Sequence, residues 1–127
     1  LHAEVWANLE APPLLEARDP YGAPPRPIDA VYCGDFNILP DDPVYRRLLA
    51  PFDGGVPTLR DAWPLAAPGR PHPATCGLFD RRQWPEGGHC RDYFFVTETL
   101  SELVVELAVD SETAASDHQP VRLKLMA

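Results

Sequence analysis

The chain is predicted to fold as one α/β (α+β) layered domain, and three observations predict it. Four apolar runs have the composition or alternation of β-strands. Two or three other segments have helical spacing or a helix-start signature, and proline and glycine separate all of them. With 127 residues, 45% of them hydrophobic, the chain can bury one core, and wholesale disorder is excluded.

Leu1, Val5 and Leu9, with Trp6 beside them, recur at helical spacing, so a short amphipathic helix is expected there, ended by Pro12-Pro13. An irregular Pro-rich passage from Asp19 to Pro27 follows. Ile28 to Cys33 reads as a buried strand. Asp41 and Asp42 ahead of Pro43 make a helix start, with Val44, Leu48 and Leu49 as its apolar face through about Ala50. Gly54-Gly55 breaks that pattern, and Leu59 to Trp63 fits one more helical turn.

From Pro64 to Gly88 there is little periodicity and much Pro, Gly and Arg, which predicts a long surface connection forming a substrate-facing rim. Tyr93 to Thr97, aromatic and β-branched, is a strand, and Leu103 to Val109 is another. Val121, Leu123 and Leu125 alternate with Arg122, Lys124 and Met126, which sets one face of a C-terminal strand on the core. There is no internal repeat. The sixteen prolines lie mainly between the apolar runs, where a fixed φ and a missing donor do least harm.

Eleven Lys and Arg against nineteen Asp and Glu give a net charge of −8, which opposes sequence-independent binding to a polyanion. A phosphate-ester enzyme with this balance would lean on a bound metal. The basic clusters are Arg46-Arg47 and Arg81-Arg82. Cys33, Cys76 and Cys90 are odd in number and widely spaced, so neither a disulfide framework nor a standard zinc site is suggested. Cys33 is expected to be buried, and reduced thiols fit a cytoplasmic setting. No apolar stretch approaches a membrane span, and the N-terminus lacks the order of a secretory signal. A start at Leu1 rather than Met fits a piece of a longer polypeptide.

Three acidic clusters flank the strand-like runs: Gly34-Asp35-Phe36-Asn37, Arg91-Asp92-Tyr93-Phe94 and Ser116-Asp117-His118-Gln119-Pro120. Three carboxylates, one amide and one imidazole are what metal-assisted cleavage of a phosphate ester uses. By period-two alternation Asp35 and Asn37 face the same way, with Gly34 permitting a tight turn and Phe36 anchored in the core. Taken alone, the tetrapeptide is more often a turn in which Asp and Asn bond their own backbone than a catalytic pair. Asp92, at the start of an aromatic strand, calls for a partner, and His118 is the natural one; the bland alternative is an exposed strand-start carboxylate. Ser116-Asp117-His118 also fits a capped turn. His2, His72 and His89 read as surface residues. If the carboxylates share a cleft, two like charges about 4 Å apart repel by around 4 kcal/mol at an effective dielectric of 20, so a cation or a protonated His118 must offset them. Mg²⁺ suits oxygen ligands best.

In order and spacing these motifs resemble the C-terminal half of the endonuclease/exonuclease/phosphatase family, which includes pancreatic-type DNases, abasic-site endonucleases, neutral sphingomyelinases and inositol phosphate phosphatases. The resemblance runs from about Ile28 to the C-terminus and implies part of a four-layer, DNase I-like β-sandwich flanked by helices. It also implies roles. Asp35 would orient or deprotonate the attacking water, Asn37 would hold a phosphate oxygen, and Asp117 would ligate Mg²⁺, with Mn²⁺ as substitute. His118 would stabilise charge on the phosphorane-like transition state or act as general acid, with Asp92 fixing its tautomer.

The departures carry expectations of their own. The family's first half supplies an Asn, a metal-binding Glu and a further His or Tyr, and the stretch before Ile28 is too short to hold that half. Residues 1–127 are therefore expected to be the C-terminal portion of one such domain, with little activity alone and an apolar face open to self-association. Arg91 stands where relatives commonly have an apolar residue and is expected to face solvent. The leading function is a Mg²⁺-dependent phosphodiesterase, nuclease or phosphatase acting on a phosphate-ester substrate such as nucleic acid, phospholipid or inositol phosphate. The rival is a non-catalytic truncated or assembly module that pairs through an uncovered sheet.

Overall fold

Aromatic and β-branched side chains favour a pleated, half-buried strand, and in the computed structural model, which describes residues 27–127, the run richest in them becomes the centre of the molecule. The helix expected over residues 1–9 and the Pro-rich passage ahead of Pro27 lie outside the described residues. The elements in order are β1 (Val31–Asp35), α1 (Pro43–Leu48), a 3-10 turn (Asp53–Gly55), β2 (Leu59–Asp61), α2 (Ala62–Ala66), β3 (Asp92–Thr97), a second 3-10 turn (Glu98–Leu103), β4 (Val104–Val109) and β5 (Val121–Leu125). Among the described residues no helix is long and apolar enough to cross a membrane.

β3 lies between β1 and β2 and is antiparallel to both. Successive side chains of a strand point to opposite faces, so Tyr93 and Phe95 share one face and Phe94 and Val96 the other. On the first face Phe95 is fully buried, edge-on to Phe36 at 4.8 Å and stacked on Tyr93 at 5.3 Å. Helix α1 closes this cluster. Asp42 caps it, its Oδ1 accepting from the Val44 N–H at 2.7 Å, and Pro43 takes the first helical position, where its missing N–H costs nothing. The inward set is Tyr45, Leu48 and Leu49, at i, i+3 and i+4, and not Val44, which is exposed. Full burial of such a side chain contributes about 1.5–3 kcal/mol, and these three, partly buried, contribute a fraction of that. Burial also holds the phenols of Tyr45 and Tyr93 well above the ordinary tyrosine range, so both act as neutral donors, Tyr93 to the Ile38 carbonyl at 3.1 Å.

On the opposite face Phe94 meets Leu107 and Val109 of β4 across a cavity of about 10 Å³, room for no more than one water. β4 and β5 form an antiparallel ribbon with an irregularity between Val104 and Glu106. In β5 the expected alternation holds: Val121, Leu123 and Leu125 are half-buried, while Arg122 and Lys124 are exposed.

Two boundaries differ from expectation. The first strand is Val31–Asp35 and not a buried Ile28–Cys33: Val31 and Cys33 are exposed. β1 is the edge of its sheet, and within the described residues nothing covers the face that carries these two side chains; a strand buried on one face alone keeps only alternate residues from water. Leu59 to Trp63 is not one helical turn. It is strand up to Asp61, whose Oδ1 then accepts from Trp63 N–H at 2.8 Å and starts α2. Pro64 is tolerated because it lies in that helix's first turn.

Candidate active site

The register of β1 on β3 sets Asp35 directly opposite Asp92, one at the end of its strand and the other at the start. Like charges directly opposite across a ladder destabilise it. Here an imidazole lies between them. His118 Nδ1 is 2.8 Å from Asp92 Oδ2, and its Nε2 is 3.9 Å from Asp35 Oδ2. The His118 side chain is 29% exposed, so a ligand can reach the ring without rearrangement. The cavity of about 10 Å³ beneath Phe94 is too small to take a substrate.

Burial works against charging the His118 ring. The hydrogen bond and charge of Asp92, then the charges of Asp35 and Asp117, outweigh it and hold the pKa above the ordinary histidine value. The imidazolium therefore persists to higher pH than in a free histidine. The same carboxylates act on buried Cys76, whose thiol is pushed up to about 11 first by burial and then by Asp92, against Arg91, with Asp35 and Asp117 adding to the rise. That thiol is inert near neutral pH.

His118 reaches this position because its segment is laced to a strip running from Thr75 to Gly77. Gln119 N–H donates to Thr75 O at 2.7 Å, Gly77 N–H donates to Asp117 O at 3.0 Å, and Cys76 pairs with both His89 and His118. The Ser116 hydroxyl accepts from His118 N–H at 3.2 Å and lies 3.3 Å from Asp117 Oδ1, so the capped turn that the sequence allowed is present as well.

Asp35 combines the two readings of its motif. Its Oδ1 accepts from the Asn37 N–H at 2.8 Å, forming the turn, while its Oδ2 faces His118. Period-two alternation does not carry on to Asn37. The strand ends at Asp35, Phe36 N–H bonds to Arg91 O at 2.9 Å, and Asn37 takes a left-handed φ of 55° that Asn tolerates better than most residues. Asn37 is thus beside the cluster, exposed, and tied to Asp35 through its backbone. Gly34 has φ 139° inside β1, and a Cβ there would meet nothing within 4 Å. Its glycine is needed for backbone conformation alone. Gly34→Ala is expected to lower stability by about 1–3 kcal/mol through strain; an unchanged urea midpoint would contradict this.

Sequence reasoning missed several participants. The Pro64 to Gly88 stretch is not only rim: Thr75, Cys76 and Gly77 are buried within it. His72, expected at the surface, is largely buried, with Nε2 2.6 Å from Asp61 Oδ2. His89, also expected there, is half-buried, with Nδ1 3.0 Å from Gly87 O and Nε2 3.2 Å from Cys76 Sγ. Arg91 does not simply face solvent; it is half-buried with its guanidinium over Trp84, 5.3 Å from the ring centre. The available signal was small: a Thr between Pro73 and Gly77, and an Asp two residues before Trp63, both read most simply as loop or cap.

Among the described residues no three His, Cys, Asp or Glu side chains form a closed metal cage. Cys90 Sγ donates to Asp92 O at 3.7 Å, whereas Cys76 Sγ meets His89 Nε2. What the site offers a hard cation is carboxylate oxygen at Asp117, with Asp35 near His118. Carboxylate oxygen is the donor type that a hard cation such as Mg²⁺ takes.

A model of the Endonuclease/Exonuclease/phosphatase family matches residues 3–118, beginning upstream of Ile28 and ending on His118. Searches of curated proteins and of solved structures gave no match.

Proposed function

The chain belongs to the endonuclease/exonuclease/phosphatase family, and from that premise we propose that it is a Mg²⁺-dependent phosphoesterase that hydrolyses a P–O bond by in-line attack of water. Membership points to phosphoesterase or nuclease-type chemistry, and the antiparallel, helix-poor α+β architecture agrees with the DNase I-like fold. The observation that carries the proposal is the His118 ring held between Asp92 and Asp35.

Asp92 accepts from His118 Nδ1–H, which fixes the ring and leaves Nε2 toward the open edge. As imidazolium, Nε2–H stabilises the negative charge that builds on the phosphoryl oxygens, or passes its proton to the departing oxygen as the P–O bond breaks. Asp35 Oδ2, on the same side of the ring, takes the proton of the water that attacks phosphorus. Asn37, beside Asp35, holds a phosphate oxygen. Asp117 would hold Mg²⁺, or Mn²⁺ in its place, and the ion when bound neutralises phosphate charge that a protein of net charge −8 cannot.

The acidic balance argues for a small or single-stranded phosphate ester over long duplex DNA. The three cysteines are free, which supports a cytoplasmic setting. The test is a panel of nucleic acid, phospholipid and inositol phosphate substrates with Mg²⁺. Hydrolysis is expected to vanish with a chelator and to return on adding Mg²⁺ or Mn²⁺. Activity that a chelator leaves untouched would defeat the metal assignment, and none on any substrate from the full-length parent protein would defeat the proposal, residues 1–127 being expected to have little activity alone.

A further inference from the structure

Thr75 is 2% exposed, in a segment whose composition reads as loop. Its Oγ1 accepts two backbone donors, Arg91 N–H at 2.9 Å and Asp92 N–H at 3.0 Å. A hydroxyl oxygen has two lone pairs, so one side chain can take both. The need for it follows from the sheet. β2 pairs only with Phe95–Thr97, so the N–H groups of Arg91 and Asp92 lie beyond the end of that ladder. The backbone of Thr75 meanwhile joins the two halves of the site: its N–H donates to His89 O at 2.9 Å, and its carbonyl accepts from Gln119 next to His118.

The geometry points to Thr75 as the positioning residue of the site, whose hydroxyl fixes the first residues of β3 so that the Asp92 carboxylate meets His118. The backbone bonds of Thr75, Cys76 and Gly77 hold the strip whatever side chain stands at 75; only Oγ1 bonds the peptide N–H of Asp92 itself. Freed from it, the start of β3 moves, and the 2.8 Å contact to His118 Nδ1 loosens while the strip stays in place. The catalytic consequence rests on the proposed function, but the positioning does not.

The test compares Thr75→Val, which keeps the β-branched shape and removes the hydroxyl, with Thr75→Ser, which keeps the hydroxyl. The first readout is the proton NMR signal of His118 Nδ1–H bonded to Asp92, together with the Arg91 and Asp92 amide shifts. The expected result is a wild-type signal in Thr75→Ser and its loss in Thr75→Val, with β4–β5 amides unmoved in both. On the preferred substrate Thr75→Val is expected to lower kcat by about 10–100-fold, as loss of a supporting partner typically does, with KM nearly unchanged and serine restoring kcat. An intact signal in folded Thr75→Val overturns the inference even if wild type is active. Loss of the signal in a protein that hydrolyses nothing sustains the inference and defeats the proposed function instead. If Thr75→Val does not fold, loss of the signal in folded Thr75→Ser overturns it.

Discussion

His118→Ala is expected to lower kcat/KM on any phosphate ester the protein hydrolyses by about 10²–10⁴-fold, the range over which a positioned general acid or base acts. The residue's place explains why no neighbour replaces it. It is the imidazole between two carboxylates that the β1–β3 register sets opposite one another. Cys76, close by, has its thiol pushed up to about 11 and cannot act near neutral pH. Arg91 is engaged over Trp84. Removing the ring also leaves Asp35 and Asp92 facing each other without a positive partner, so a small loss of stability accompanies the loss of turnover. The side chain is partly exposed and belongs to no apolar cluster, which keeps the variant folded. Steady-state kinetics on the panel, with near-UV circular dichroism as the folding control, check this. Wild-type kcat/KM in His118→Ala would remove the residue from the chemistry, and wild-type kcat/KM in Asp117→Ala would do the same for the metal role.

The meeting of Asp35, Asp92 and His118 was legible because each motif abuts a strand end. A run such as Tyr93–Val96 announces a strand through its own composition, and the acidic residue at its start inherits a fixed position on the sheet edge. Antiparallel pairing then brings the end of one strand to the start of the next, as Asp35 and Asp92 illustrate. What was not legible was made by backbone bonds between distant segments. Thr75 is held by His89 and Gln119, and such bonds leave no periodic trace in side-chain chemistry. The prolines around Thr75 mark real irregularity, but irregular chain is not always surface chain. Cys33 failed for a different reason: its residue type and apolar neighbours argue for burial, while its edge position decides otherwise.

Asp61→Ala is expected to cost about 3–5 kcal/mol of folding free energy, the range for removing one partner of a buried, hydrogen-bonded charge. Against a total of about 5–15 kcal/mol for a domain, that puts much of the population out of the native state. Asp61 is 5% exposed and makes three hydrogen bonds with two oxygens. Oδ1 accepts from Trp63 N–H and starts α2; Oδ2 receives the Tyr45 hydroxyl at 2.8 Å and His72 Nε2 at 2.6 Å. Through these bonds it joins α1, β2 and the arm before Thr75. Alanine removes the cap, worth about 0.5–2 kcal/mol, and leaves a phenol and an imidazole without an acceptor among the rings of Tyr93 and Phe95, each stranded buried group costing about 1–3 kcal/mol. Asn should recover part of the loss, since its carbonyl can replace one oxygen but its amide faces the same donors with a donor of its own. Urea melts should therefore rank wild type, Asp61→Asn and Asp61→Ala in that order of decreasing stability. If alanine were as stable as wild type, the Asp61 cluster would not be what fastens the arm to the core.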